Sequence, residues 1–206
     1  SSEALEMVRP YLDLVSSLGI LGRSVMSGPP RRIELSVADG LRGEHLQYLT
    51  GRLLVTILSR FVDSTLNYIN APAAARERGI EVAQTRSDSP PGYSNWLQVT
   101  VQTSQEPTTI SGALFEGADS RIVNINGYRL ELAPRQTVIL IWNADPGRPG
   151  FVGRIGTLLG EAGINITGLQ VARNEIGGIG LMAATVAGEI HEEIAAQIGQ
   201  LPGVVR

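Results

Sequence analysis

The hydrophobic pattern of the last third of the chain restricts the folds available to it more than any other feature. Short apolar runs of strand length alternate there with segments whose apolar residues recur at helical spacing. In order, the pattern predicts strand, helix, strand, strand, helix and the beginning of a strand, over 137–142, 149–163, 164–173, 180–186, 190–198 and from 204. Few small folds accommodate that order.

This order is that of the split βαβ unit, and it predicts a ferredoxin-like βαββαβ domain over 135–206. Pro149 is placed to open the first helix of this domain, and Gly163 to end it. Gly153 and Gly156 lie on neighbouring turns of the helix. We expect these two glycines to permit close approach of another backbone.

The part of the chain before Pro134 predicts a second, mixed α/β domain built on an antiparallel sheet. Helical spacing covers the first residues, 44–60 and 70–78, and alternation predicts strands over 32–39 and around Leu97 to Val101. Asn126-Gly127 joins two further strand-like runs, and both residues tolerate the positive φ of a tight hairpin turn. The complete chain is therefore predicted to be of the α+β class, with domains at 1–134 and 135–206.

Composition excludes several classes of function. The 17 basic residues, all arginine, are scattered against 20 acidic ones for a net charge of −3, which argues against nucleic acid as a partner. The chain has no cysteine and two isolated histidines, and its glycines do not form a nucleotide-binding motif, so neither a metal nor a cofactor site is expected. No apolar run approaches the roughly 20 residues that span a bilayer. We expect a cytoplasmic protein, and its start without Met suggests a piece of a longer one.

Two further stretches resemble a known family of regulatory domains. They are Trp142-Asn-Ala-Asp-Pro-Gly-Arg-Pro-Gly150 and Gly153-Arg-Ile-Gly-Thr-Leu-Leu-Gly-Glu-Ala-Gly-Ile-Asn165. They resemble the ACT domain, in which a strand ends in a polar loop with Asp or Asn before Pro-Gly, a glycine-bearing helix follows, and a Gly-Ile-Asn turn enters the next strand.

The region before it resembles the allosteric substrate-binding domain, or intervening domain, that precedes the ACT domain in bacterial-type D-3-phosphoglycerate dehydrogenases. The stretches that carry this resemblance are Asn67-Tyr-Ile-Asn-Ala-Pro72, Ala75-Arg-Glu-Arg-Gly-Ile80, Gly92-Tyr-Ser-Asn95, Ile110-Ser-Gly112 and Arg121-Ile-Val-Asn-Ile-Asn-Gly-Tyr128. The resemblance implies a regulatory, homo-oligomeric fragment without catalytic residues. The NAD-binding catalytic part of the parent enzyme would lie upstream, where it would also complete the first domain.

The resemblance also implies an effector site. In this family L-serine, or another small amino acid, binds where ACT domains of two subunits meet. Carried over by position, the contacts are Asn143, Asp145 and Asn165, with neighbouring residues Pro149, Gly150 and Ile164. Asp145 suits the ligand's ammonium, while backbone N–H groups at the helix start and the Asn165 amide suit its carboxylate. The alternative interpretation is that Asn143 and Asp145 simply cap the helix.

One departure from the family pattern concerns the loop. Asp145 is followed by Pro146-Gly147 and then again by Arg148-Pro149-Gly150, which makes the loop about two residues longer. Either Asp145 keeps the ligand position and the extra Pro-Gly bulges outward, or the pocket is reshaped.

Members of the family can also bind an anion through basic residues of the first domain. Arg121, Arg129 and Arg135 are the candidates here, because arginine binds carboxylate or phosphate bidentately. The alternative for these residues is a solvated sheet face.

Two other functions remain open at this point. The chain also fits the regulatory part of an L-serine dehydratase, which shares a related pair of domains. A third hypothesis is a purely structural module that assembles subunits through ACT sheets, and the lengthened loop is the feature that favours this hypothesis.

Overall fold

A computed structural model of the chain describes residues 2–38, 40–41, 43–62, 65–116, 119–133, 136–174 and 178–206. The Cα positions divide the chain into two compact units, Ser1–Asn126 and Gly127–Arg206. Helices and mostly antiparallel sheets occur together, which confirms the predicted α+β class. No helix among the described residues is long and apolar enough to cross a membrane.

The first unit packs helices on a sheet. Its elements are α1 (Ser2–Val25), β1 (Arg32–Val37), α2 (Glu44–Leu58), α3 (Ala71–Glu77), β2 (Glu81–Arg86), β3 (Trp96–Gln102), β4 (Thr108–Phe115) and β5 (Asp119–Ile125). The strands follow the order β2-β1-β3-β4-β5, and all neighbours are antiparallel except β1 and β2, which are parallel. Strand β2 was not predicted, because the run Glu-Val-Ala-Gln-Thr-Arg has little apolar alternation.

Close packing of α1 on the sheet forms the core of this unit. Leu14 and Leu18 of α1 are fully buried, as are Ile33 and Leu35 of β1. A Cβ built on Gly112 of β4 would lie 2.5 Å from a methyl carbon of Leu14. Glycine at this position therefore lets the helix lie directly on the strand.

A polar network covers one face of the parallel pair β1 and β2. Arg32 Nη2 donates to Glu34 Oε2 at 2.8 Å, and Thr85 Oγ1 donates to Glu34 Oε1 at 3.1 Å. Arg32 also pairs with Glu81, and the hydroxyls of Ser36 and Thr85 lie 2.7 Å apart. The hydrogen bond from Arg32, followed by that from Thr85, lowers the pKa of the Glu34 carboxyl against the opposing effect of partial burial.

We expect Glu34→Gln to destabilise the first unit in a pH-dependent way. A carboxyl with a lowered pKa in the folded state contributes stability above its unfolded pKa of about 4.3, and this contribution disappears as the pH falls through the folded pKa. The difference in free energy of unfolding between wild type and variant should therefore be present at pH 7 and shrink below about pH 4. Urea unfolding across this range measures it. The exposed Glu106→Gln is the control, and a difference independent of pH would contradict the assignment.

The predicted Asn126-Gly127 hairpin is confirmed. Asn126 and Gly127 have φ of 49° and 87°, as the two central positions of a type I′ turn require. Along the chain, the turn follows β5 and precedes β6 (Tyr128–Leu132). Asn126 also fixes the turn through its side chain, whose Oδ1 accepts from the Thr109 backbone N–H at 2.7 Å.

The second unit, from Gly127 onward, contains a three-stranded antiparallel sheet under two helices. Its further elements are β7 (Thr137–Asn143), α4 (Phe151–Glu161), β8 (Ile166–Arg173), β9 (Gly180–Val186) and α5 (Glu192–Gly199). The strand order is β7-β9-β8. Its core comprises Ile141, Phe151, Ile155, Leu159, Met182, Val186 and Ile198. The order of elements predicted from the sequence is thus present.

Several details of that prediction are corrected. Helix α4 begins at Phe151, so Pro149 precedes the helix rather than opening it. Gly153 and Gly156 meet no described atom within 4 Å of an added Cβ, so within this chain they permit no close approach. The predicted beginning of a final strand is present but short: Val204 forms an antiparallel bridge with Asn143 of β7, and the Val205 N–H donates to the Trp142 carbonyl at 2.8 Å. Part of the turn expected between β8 and β9 lies outside the described residues.

Candidate functional site

A cleft of about 270 Å³ lies in the second unit where β7 ends and α4 begins. The polar loop between these elements forms one wall, and the facing ends of β8 and β9 form the other. The lining residues are Asn143, Pro146, Gly147, Arg148, Pro149, Gly150, Phe151, Val152, Val171, Gly180 and Met182. The cleft has the size of a small metabolite rather than of a macromolecule.

Asn143 organises the loop from its buried position at the end of β7. Its Oδ1 accepts from the Asp145 backbone N–H at 2.9 Å, and its Nδ2 donates to the Asp145 carbonyl at 3.2 Å. The side chain is 4% exposed. A Cβ on Gly203, whose φ is 94°, would come within 2.7 Å of Asn143 Oδ1, so glycine is needed there as well. Asn143 thus holds the loop in shape and lines the cleft at the same time.

Pro146 packs against the ends of β8 and β9 that form the opposite wall of the cleft. A Cβ on Gly180 would lie 2.5 Å from Pro146 Cβ, so the two residues are already in close contact. Arg173 at the end of β8 donates from Nη2 to the Pro146 carbonyl at 3.3 Å. The first Pro-Gly pair of the lengthened loop therefore packs against the sheet and lines the cleft.

The start of α4 faces the cleft without a side-chain cap. Gly150 is the N-cap residue with φ of 87°, a left-handed conformation that favours glycine, and no described side chain caps this helix. Asn143 and Asp145 are therefore not helix caps, and that alternative is wrong for α4. Backbone N–H groups of the first turn lack intrahelical acceptors by geometry, which makes a helix start a favourable place for an anion.

Arg154, in the first turn of α4, carries an unsatisfied guanidinium. Its Nε and Nη2 atoms are buried and have no hydrogen-bond partner among the described residues. The guanidinium carbon lies 5.9 Å from the centre of the Phe151 ring. Its Nη1 would lie 3.6 Å from a Cβ on Gly150. An unpaired buried donor costs about 1 to 3 kcal/mol, and more when charged.

The structure separates the predicted effector contacts into two groups. Asn143, Pro149 and Gly150 line the cleft, and Asp145 is exposed beside them. Ile164 and Asn165 lie at the other end of the sheet, where Asn165 O accepts from Ala187 N at 2.9 Å. The two groups are separated by the length of β8, which has 8 residues and so spans about 25 Å at roughly 3.3 Å per residue.

Ile164 and Asn165 differ in their surroundings at that end. Ile164 is partly buried against the core of the second unit, and its backbone N–H bonds to Leu159 O at 2.9 Å. The side chain of Asn165 is exposed. Of the two, Asn165 is the one that presents polar groups outward.

The three candidate anion-binding arginines are not brought together in one unit. Arg121 belongs to the first unit, where it forms an ion pair with Asp119 and donates to the Ser120 carbonyl. Arg129 lies exposed on β6, in the second unit. Arg135 lies outside the described residues. The anion site therefore stays a prediction.

Sequence reasoning missed the arginines around the cleft. Arg148 lines it, Arg173 braces Pro146, and Arg154 lies behind the wall made by Gly150 and Phe151. One signal was available for Arg154, since a positive charge in the first turn of a helix is repelled by the positive end of the helix dipole. For Arg148 and Arg173 no local pattern distinguishes a cleft residue from a solvated one. No group of acidic and histidine side chains in the described part of the chain could hold a metal.

Comparison with protein families agrees with this architecture. Residues 7–126 match the model described as the D-3-phosphoglycerate dehydrogenase intervening domain. The chain belongs to that intervening-domain family. Residues 138–203 match the ACT domain, so in this family member the intervening domain is followed by an ACT domain that contains the cleft.

Three curated relatives of this family member share one name. Proteins named D-3-phosphoglycerate dehydrogenase are 29% identical in Bacillus subtilis over 96% of this chain, and 30% identical in Methanocaldococcus jannaschii over 98%. The protein of that name from Mycobacterium tuberculosis is 32% identical over 84%. The chain spans 37%, 38% and 33% of these relatives, respectively, so it corresponds to one part of each.

Proposed function

We propose that this chain is the regulatory and oligomerising region of an NAD-dependent D-3-phosphoglycerate dehydrogenase of L-serine biosynthesis, a cytoplasmic enzyme. Its intervening domain would cover 1–134 and its ACT domain 135–206. The ACT domain senses L-serine where two copies meet. The observation that carries this proposal is the cleft at the start of α4 inside a segment that matches the ACT family.

The separation of the predicted contacts supports a site made by two chains. Strand β8 is an outer strand in the order β7-β9-β8, and β6 approaches it through hydrogen bonds between the Gln170 side chain and the Glu131 backbone rather than as a paired strand. Asn165 precedes β8, while its last residue, Arg173, braces the cleft loop. If two copies pair antiparallel along β8, the start of one strand lies beside the end of the other. Asn165 of the second copy then approaches the cleft of the first, which Asn165 of the same chain cannot reach.

Exposed apolar side chains at β8 support the same pairing. Leu169 and Val171 of this strand are 36% and 53% exposed, and Val152 of α4 is 45% exposed. An edge strand with outward apolar residues is a template for pairing with another chain. A second copy is the occupant that buries this surface and completes the cleft.

The chemistry of the cleft fits a small zwitterion. The exposed Asp145 carboxylate accepts hydrogen bonds from an ammonium group, and donors at the start of α4 bind a carboxylate. Asn165 of the second copy supplies an amide for either the hydroxyl or the carboxylate. Because the ligand contacts both copies, it favours one arrangement of subunits, and this shift in population reaches the NAD-dependent catalytic part of the parent enzyme.

The two alternatives differ in their support. The relatives are dehydrogenases by name, which favours the dehydrogenase over the L-serine dehydratase. A purely structural assembly module would keep the β8 pairing without ligand binding, and the binding experiment separates it from the sensor.

Calorimetric titration of the 206-residue chain with L-serine tests the proposal. We expect binding, and we expect Asp145→Ala to weaken it by about ten- to a hundredfold, since a hydrogen bond to a charged group contributes about 1.5 to 3 kcal/mol. Asp88→Ala, a change of an exposed aspartate in the first unit, is the matched control and should bind as wild type does.

Two results would contradict the proposed function. Binding of other amino acids without L-serine would reject serine as the effector. Assembly of the chain without binding of any amino acid would favour the structural module.

A further inference from the structure

The charges around the ACT cleft are unbalanced. Arg148 lines it, Arg173 donates to the carbonyl of Pro146 in its wall, and Arg154 lies behind another part of the wall. Asp145 is the one acidic residue of the loop 144–150. Arginine charge at the start of a helix adds to the positive end of the helix dipole instead of opposing it. Among the described residues, this end of the unit therefore favours an anionic group.

Arg154 is the least satisfied of the three arginines. Nε and Nη2, the two atoms that form the side edge of a guanidinium, are both buried without a partner within the described chain. That edge is the one that binds a carboxylate through two parallel hydrogen bonds. The Phe151 ring supports the guanidinium from one side, and Phe151 itself lines the cleft.

A purely structural role does not account for this arrangement. An arginine retained for stability would pair its donors with a carboxylate or carbonyl, whereas this one leaves its bidentate edge unpaired and places its charge against the helix dipole. A carboxylate in the adjacent cleft would pair with the unpaired donors and would also neutralise the positive charge at the helix start. The guanidinium lies close to this wall, since its Nη1 is 3.6 Å from the position of a Cβ built on Gly150.

We propose that Arg154 is the counter-charge of the ligand's carboxylate in the ACT cleft, which it binds through its guanidinium edge when the ligand is present. This inference rests on the proposed function and extends it, because it defines the ligand class as small molecules that carry a carboxylate. The ammonium and side chain of the ligand then face Asp145 and the second copy.

Titration of Arg154 variants of the 206-residue chain tests the inference. Arg154→Gln should weaken L-serine binding by about tenfold or more. Arg154→Lys should bind with intermediate affinity, because lysine keeps the charge but lacks the planar guanidinium that forms two parallel hydrogen bonds. L-serine amide, which lacks the carboxylate, should bind wild type weakly and lose little further affinity in Arg154→Gln. Arg9→Gln, at an exposed position of α1, is the control for removal of an arginine.

The outcomes distinguish this inference from the proposed function. If L-serine binds wild type and Arg154→Gln equally well, the role of Arg154 is wrong while serine sensing stands. If L-serine does not bind but malonate does, and Arg154→Gln abolishes malonate binding, the carboxylate site stands and serine sensing fails. If neither compound binds wild type, both proposals fail. Circular dichroism and thermal unfolding of each variant verify that a loss of binding does not reflect a loss of fold.

Discussion

Gly112→Val is expected to destabilise the first unit by about 3 kcal/mol or more, at the upper end of the cost of overpacking a core. The added Cβ alone would lie 2.5 Å from a methyl carbon of Leu14 and 2.9 Å from the Arg121 carbonyl oxygen. The Leu14 side chain can shift, but the Arg121 carbonyl belongs to the neighbouring strand and cannot move without disturbing the sheet. Helix α1 would be displaced from β4. Chemical denaturation followed by circular dichroism measures the loss.

Thr109→Val is the control for that change. It introduces the same side chain into the same strand at a half-buried position, where the Thr109 hydroxyl makes one long contact of 3.4 Å with Thr100. We expect it to change the free energy of unfolding by less than about 1 kcal/mol. Equal stability of Gly112→Val and wild type would contradict the close packing of α1 on β4.

Leu169→Arg is expected to convert the proposed dimer into monomers. The change places a charge without a defined partner at the centre of the β8 edge, and burial of such a charge in an interface costs about 3 kcal/mol or more, which is roughly a hundredfold in affinity. Leu169 does not line the cleft, so its replacement leaves the ligand contacts of a single chain intact. If the site needs Asn165 of a second copy, serine affinity should fall together with dimerisation.

Sedimentation velocity over a range of protein concentrations, with and without L-serine, measures this effect. Ile20→Arg is the matched control, because Ile20 is an exposed apolar residue of the first unit at 48% exposure, compared with 36% for Leu169. A variant that remains dimeric would exclude the β8 edge as the interface. Monomeric Leu169→Arg with undiminished serine binding would instead show that one chain holds the complete site.

Local patterns were sufficient for the elements whose side chains repeat regularly. The order of strands and helices in the second unit follows from apolar spacing, and the Asn126-Gly127 turn from two residues that accept positive φ. Strand β2 was missed because polar residues interrupt its apolar pattern. Its backbone hydrogen bonds to the parallel neighbour β1 stabilise it as a strand instead. The start of α4 was placed too early because Pro149 suits a first turn, whereas Gly150 adopts the left-handed conformation that delays the helix.

The candidate site was predictable only in part, because some of its residues are close in sequence and others are brought near by strand pairing. The loop residues Asn143, Pro149 and Gly150 are close in sequence and lie together at the cleft. Asn165 was predicted as a contact of the same site between two subunits. Within one chain it lies at the opposite end of the sheet, because β8 separates it from the loop. The contribution of Arg173 depends on the pairing of β8 with β9, and no neighbour in sequence indicates it.

For this protein, the sequence by itself determined the α+β class, the order of elements and the loop that carries the cleft, because these depend on hydrophobic period and on the backbone preferences of a few residues. The tertiary structure alone decided which charges surround the cleft, and that Asn143 braces the loop rather than caps α4. It also decided that the buried Nε and Nη2 of Arg154 have no hydrogen-bond partner among the described residues. These properties depend on distances between residues that are remote in sequence, and apolar period contains no information about the direction or pairing of an individual polar side chain.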